Sequence, residues 1–231
     1  MYLLRSKSNK KFEFEEQYDI PGRRHEYYNY YFNVRLSGNI LAYVKSRHDC
    51  MKDNNSSREN YTRVTSMLYP FSGLEKIDPS IVMRAAERGT KVHKICEGIA
   101  QGLGEIGVDE ETFGYVESFK KWWSQGVNPV MIEERFWCDE LQITGQVDFI
   151  VKNEEGSLSI VDLKTSSRPS KTWQIQGCAY AYLAKKAKHD IQKIQFIHLN
   201  KHGKEPKIYE YPVDDSFFFA LYRIFQHFYK A

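Results

Sequence analysis

Two short apolar runs, each carrying one aspartate, constrain this chain more than any other feature. Residues 143–151 and 158–163 have the length and composition of strands. Between them, Lys152-Asn153-Glu154-Glu155-Gly156 is polar and of hairpin-loop length. Antiparallel pairing across that loop brings two carboxylates side by side at one sheet edge: Asp148, which ends Gly145-Gln146-Val147-Asp148, and Asp162, which begins Asp162-Leu163-Lys164. An aspartate inside an apolar strand is costly unless it is paired or bound to a cation. Alternation points Asp162 and Lys164 to one face and Leu163 to the other. Two acids and a lysine held together can gather a divalent cation and act on a phosphate ester. Taken singly, Asp148 also suits the solvated face of a strand, and Asp-x-Lys an exposed strand end.

The segments around this hairpin change period. Asp78 is placed to cap a helix with Pro79 at its first position. Ile81, Val82, Ala85, Ala86, Val92, Ile95, Cys96, Ile99 and Leu103 then recur at helical spacing, with Gly89 expected to break the helix in two. A second helix is expected from Asp109-Glu110-Glu111 to about residue 124. Strands at 130–138, 143–151 and 158–163 follow, then a helix at 170–188, strands at 193–199 and 207–211, and a helix at 214–229. This order argues for an α/β fold, a mixed sheet with helices on both sides. Residues 1–50 read as strand-rich, through Phe12-Glu13-Phe14, 31–36 and 40–44, and 53–60 lacks any apolar anchor. The expected organisation is an N-terminal strand-rich appendage and linker over 1–60, then one domain over 61–231.

Composition excludes several classes. No apolar stretch approaches the roughly 18 residues of a membrane span. The apolar start, Tyr2-Leu3-Leu4, is too short for a signal-peptide core, so a cytoplasmic location is expected. A net charge of +3 excludes a bulk polycation. Lys164, Arg168, Lys171, Lys185, Lys186 and Lys188 nevertheless follow the acidic pair closely, although solvated helix faces explain the last three equally well. Cys50, Cys96, Cys138 and Cys178 contain no CxxC pair, which argues against zinc or iron–sulfur ligation. Cys96 and Cys178 are expected as buried free thiols.

Further candidates surround the hairpin. His93 lies on the first long helix with Glu97 one turn on; the two share a hydrogen bond, or the imidazole serves a cation. Gln176 and Tyr180 share a helix face and point at the acids, unless Tyr180 is core, and Gln174 offers a competing register. Thr165, Ser166, Arg168 and Lys171 line the loop into that helix, a combination of hydroxyls, cations and a helix N-terminus suited to phosphate. The aromatics at 27–32, after Arg23-Arg24-His25, suit either base stacking or a strand.

In chain order, His93, Glu134, Gly145-Gln146-Val147-Asp148, Asp162-Leu163-Lys164 and Gln176-Gly177-Cys178-Ala179-Tyr180 resemble the RecB-like branch of the PD-(D/E)XK nuclease superfamily. Arg63-Val64-Thr65-Ser66-Met67-Leu68, with Glu87 to His93, resembles the front end of its phage-type members, and the likeness covers residues 61–211. The resemblance implies a restriction-endonuclease-like core. In it His93, Asp148, Asp162 and the main-chain carbonyl of Leu163 hold one or two Mg²⁺ or Mn²⁺ ions. Lys164 orients the hydrolytic water, and Gln176 and Tyr180 shape the active site and contact substrate. Glu134 matches a further acidic position, with Glu133 an equal candidate in register. No iron–sulfur cluster is implied, and no GxxxxGK[ST] helicase loop is present. The implied activity is a stand-alone exonuclease on single-stranded DNA or DNA ends. Its further partners are replication or recombination proteins, in the host cytoplasm if phage-encoded. Two alternatives stay open: a structure-specific or single-strand endonuclease, and a non-catalytic nucleic-acid-binding protein on the same fold.

Overall fold

The computed structural model describes Arg58 and residues 60–229; the expected N-terminal strands, most of the linker, the 23–32 aromatic stretch and Cys50 lie outside the described residues. A two-residue strand β1 (Thr62–Arg63) opens the described chain and leads into the short helix α1 (Val64–Leu68). Two 3₁₀ turns follow, then helix α2 (Pro79–Ala100) and helix α3 (Glu110–Trp123). Strands β2 (Pro129–Cys138), β3 (Ile143–Lys152) and β4 (Leu158–Lys164) form a meander. Helix α4 (Thr172–Lys186), strands β5 (Ile191–His198) and β6 (Lys207–Pro212), and helix α5 (Asp215–Tyr229) complete it. Among the described residues no helix is long and apolar enough to cross a membrane.

The six strands make one mixed sheet in the order β1-β3-β4-β5-β6, with β2 antiparallel to β3. β3 and β4 are antiparallel, as the hairpin predicts, and β4 and β5 run parallel through the α4 crossover. One face of the sheet buries Ile143, Val147, Ile150, Ile160, Ile194 and Phe196 beneath α1, α4 and α5. The other buries Phe149, Val151, Val161, Leu163 and Ile197 beneath α2 and α3. The α/β reading, with helices on both sides, is the fold observed. α4 buries residues all round, because it lies between the sheet and α5, where Tyr182 stacks on Phe218 at 4.7 Å.

The helix starts follow local chemistry. Asp78 caps α2 by accepting from the Ser80 N–H, with Pro79 at the first position. Asp109 and Thr112 form a reciprocal capping box at α3. Gly89 does not divide α2, which is continuous from Pro79 to Ala100. A methyl group there would stand 3.2 Å from Thr165 Oγ1, so the glycine marks where the helix leans on the β4–α4 loop. The sequence pattern also overstates that helix as core. Only Val92, Ile95 and Cys96 are buried, and Ile81 and Met83 are more than half exposed. Cys96, Cys138 and Cys178 are buried free thiols.

Candidate metal and phosphate site

The two aspartates do not lie at an outer edge of the sheet, because β3 and β4 are interior strands. They lie where those two strands part. The β3–β4 pairing runs from Lys152↔Leu158 to Phe149↔Val161 and stops there. β1 takes the same side of β3 only at Ile143 and Thr144. Gly145-Gln146-Val147-Asp148 therefore spans a gap in the ladder, and Asp148 and Asp162 are the next residues past the last β3–β4 pair. In that gap the Leu163 N–H donates to Asp148 Oδ2 at 2.6 Å, a side chain standing where a backbone carbonyl stands in a continuous ladder. A strand residue presents its N–H and C=O to the same side, so the Leu163 carbonyl faces β3 as well.

His93 projects from α2 to place Nδ1 3.0 Å from Asp148 Oδ1. The expected contact with Glu97 is not made, because Glu97 instead accepts from Gln101 at 2.8 Å. The third member of this group is Glu133: His93, Glu133 and Asp148 each offer a ligand atom within 4.8 Å of the others. Glu134, the acid carried over from the resemblance, is not part of that group. Glu133 falls between the β2–β3 pairs Ile132↔Phe149 and Glu134↔Val147, so it stands opposite Asp148. Its φ of +53° re-aims its side chain in mid-strand. Gln146 holds it there: Gln146 Nε2 donates to Glu133 Oε2 at 2.6 Å, while Arg135 Nη2 donates to Gln146 Oε1. Sequence reasoning passed over both Gln146 and Arg135. Their signal was the i, i+2 spacing of Glu133 and Arg135 opposite Gln146.

Asp162 faces the α4 side with Lys164, as alternation requires. Lys164 Nζ lies 2.6 Å from Asp162 Oδ2 and donates to Gln176 Oε1 at 3.0 Å. Gln176, not Gln174, faces the site, and its Nε2 donates to the Tyr180 hydroxyl at 2.9 Å and reaches Asp162 Oδ1 at 3.4 Å. Tyr180 is itself buried, so it is core and site together. Gly145 makes this possible. A methyl group there would lie 2.7 Å from Tyr180 Cε1 and 3.0 Å from Leu183 Cδ1. The GxxD glycine thus lets α4 descend onto the gap that Asp148 occupies.

The electrostatics follow from burying this many charges together. Burial lowers the His93 pKa, but the Asp148 carboxylate, its hydrogen bond, Asp162 and Glu133 outweigh it and carry it to about 9. Burial, followed by repulsion from Asp148, pushes Glu133 up to about 8. Burial likewise raises Asp162 to about 6, with Lys164 opposing. Asp148 goes the other way: burial raises it, yet His93, the Leu163 N–H and Lys164 together leave it below the usual range. Burial, with Asp162, pushes the Tyr180 phenol up. Three carboxylates meeting one imidazole and one ammonium form an acid-rich cluster that favours an added cation.

The donor set fits one. Carboxylate oxygens, a strand carbonyl and a single imidazole suit Mg²⁺ or Mn²⁺ rather than a thiolate-selecting metal. Asp162 Oδ2 is buried and ion-paired to Lys164 without hydrogen-bond alignment, which leaves it a lone pair for a cation.

Of the loop residues, Thr165 is buried against α2, and Ser166 Oγ is turned onto the Arg168 carbonyl at 2.8 Å. Arg168 and Lys171 are exposed beside the site. Lys185 and Lys186 pair with Asp215 and Glu140 on solvated faces, away from the acids.

The sheet's central strands thus part around a His–Asp–Asp–Lys set beside an acid-rich cluster, an arrangement suited to metal-assisted hydrolysis of a phosphate ester. The profile of the PD-(D/E)XK nuclease superfamily matches residues 108–229, more than half of the chain, and the chain belongs to that superfamily of metal-dependent nucleases. No curated protein matches it. Twenty-two chains of solved structures do. One, the crystal structure of SSO0001, is similar over 84% of this chain and 90% of that one, at 14% identity and a TM-score of 0.44.

Proposed function

We propose that this chain is a Mg²⁺- or Mn²⁺-dependent deoxyribonuclease of the RecB-like branch, an exonuclease on single-stranded DNA or DNA ends. In this reading residues 61–231 are the nuclease domain and 1–60 an appendage to it. The observation that carries it is the Lys164 ammonium, locked between Asp162 and Gln176 one residue from the Leu163 N–H that Asp148 holds. Lys164 is thereby fixed in position next to the acidic cluster.

His93, Asp148, Asp162 and the Leu163 carbonyl are the ligands, with Glu133 as the additional acid in place of Glu134. A divalent cation held by them would supply Lewis acidity toward the scissile phosphate and the attacking water. Lys164 donates hydrogen bonds to that water and to the charge growing on phosphate oxygens, without having to reorganise during the reaction. Gln176 keeps Lys164 from collapsing onto Asp162 alone, and Tyr180 keeps Gln176 oriented. Arg168 and Lys171, exposed on the loop into α4, receive the phosphates flanking the cut, while Thr165 packs on α2 and Ser166 braces the loop.

Asp162→Ala and Lys164→Ala proteins should lose Mg²⁺-dependent cleavage by roughly 10²- to 10³-fold or more while still binding DNA. Cleavage that survives Asp162→Ala in clean protein overturns the assignment. On 5′- and 3′-labelled linear and circular single strands, the wild type should leave circles intact; cutting them identifies an endonuclease instead.

A further inference from the structure

Beyond the site lies a turn that none of the motifs includes. The segment joining β5 and β6 reads Leu199-Asn200-Lys201-His202-Gly203-Lys204-Glu205-Pro206, and Lys207 opens β6. It begins beside the catalytic lysine, because the Leu199 N–H donates to the Lys164 carbonyl at 2.8 Å. At 3.3–3.6 Å per residue, Lys201 lies within about 7 Å of Leu199 along the chain. The turn is also clamped. The Asn200 N–H donates to the fully buried Ser118 Oγ of α3 at 2.9 Å. Gly114 of α3 lies so close to it that a methyl group there would stand 1.8 Å from the Lys201 carbonyl oxygen. Helix α3 is in turn tied to α2 near His93, through Arg88–Glu111 at 3.6 Å and Lys91–Asp109.

This mounting presents lysines with no ion-pair partner among the described residues: Lys201, Lys204 and Lys207, all exposed. Lys91, Lys120, Lys185, Lys186 and Lys193, by contrast, all have carboxylate partners. Of the acids near the turn, Glu117 packs against Gly203 but gives its carboxylate to Lys120 at 2.6 Å, and Glu205 is exposed. β4 and β5 are parallel, so the turn and the Arg168–Lys171 loop leave the sheet from the same end. A rigid row of unpaired cations leading from a phosphate-cleaving centre fits a polyanion of regular charge spacing.

We propose that the β5–β6 turn, through Lys201 and Lys204, grips the backbone phosphates of the nucleic-acid strand beyond the scissile position. This rests on the nuclease reading and extends it from the reacting phosphate to the track that holds the strand.

The test is fluorescence anisotropy of a labelled 20-nucleotide oligo(dT) with the full chain, Ca²⁺ replacing Mg²⁺, from 50 to 300 mM KCl. Replacing both lysines (Lys201→Ala with Lys204→Ala) should flatten the slope of log K against log[salt] by about 1.4, at ~0.7 per lost single-strand contact. At 0.1 M salt this corresponds to roughly 10- to 30-fold weaker binding. Lys188→Ala, at the opposite end of the sheet, should keep the wild-type slope. A double variant that melts like wild type and binds with wild-type affinity and slope overturns the proposal, as does a wild type that does not bind the oligonucleotide. Gly114→Ala, which displaces the turn with both lysines intact, should also weaken binding. Wild-type hydrolysis of thymidine 5′-(4-nitrophenyl phosphate) with Mn²⁺ tests the nuclease reading separately, since that substrate is too small to reach the turn.

Discussion

At Glu133 the backbone enters the left-handed region in the middle of a strand, a conformation that costs a non-glycine residue of order 1–3 kcal/mol. Two adjacent glutamates are equivalent by composition, and the β2–β3 register sets Glu133, not Glu134, opposite Asp148 and beside His93. Sequence alone left Glu133 and Glu134 in register with the same family acid, because an αL residue inside a strand has no sequence signature when it is not glycine or asparagine. The distinction has a direct readout. Glu133→Gln should weaken Mn²⁺ binding measured by calorimetry, whereas Glu134→Gln should leave it close to wild type. Gln146→Ala removes the hydrogen bond that holds Glu133 without removing a ligand, and should cost about 10- to 100-fold in Mn²⁺ affinity. Equal affinities for the Glu133 and Glu134 variants count against this assignment.

Among elements, the parting of β3 and β4 is what turns a hairpin into a site, and Gly145 is what lets α4 close over it. Gly145→Ala drives a methyl group into the Tyr180 ring and should cost about 1–3 kcal/mol in denaturant unfolding. Combined with Tyr180→Ala, it should cost less than the sum of the two single changes, because the clash partner is gone. Full additivity would mean the glycine serves some other purpose. The hairpin, the α4 crossover and the starts of α2 and α3 were legible because each rests on local signals: apolar alternation, helical period, Asp-Pro and the acidic run Asp109-Glu110-Glu111. β1 and α1 escaped notice even though Val64, Met67 and Leu68 are buried at helical spacing, since five residues give too short a window for periodicity. The break at Gly89 was misplaced for a different reason. A glycine lowers helix propensity locally, but packing against Thr165 decides the outcome, and tertiary contact is invisible to a window.

For the whole molecule, the site sets how stability depends on pH and on metal. Three of its buried groups hold protons more tightly when folded than unfolded: His93 (6.5 to about 9), Glu133 (4.5 to about 8) and Asp162 (3.8 to about 6). Where the folded state binds more protons, stability falls as pH rises. His93 therefore contributes stability that is complete below 6.5 and is lost as pH climbs through 9. Glu133 and Asp162 lose theirs over 4.5–8 and 3.8–6. Within the site only Asp148 is shifted downward, and its contribution is already complete above 3.8. Metal-free protein should therefore melt at progressively lower temperature from pH 5 to pH 9. A divalent cation competes with those protons and binds the folded state only, so its stabilisation should grow with pH. Scanning calorimetry with EDTA or with Mn²⁺ at pH 6.0 and 8.5 measures this. The Mn²⁺-induced rise in Tm should be clearly larger at pH 8.5, and Glu133→Gln, which removes one of the titrating groups, should narrow the difference. Equal rises at the two pH values would place the cation away from His93 and Glu133, and would detach the charged cluster between β3 and α2 from the metal chemistry assigned to it.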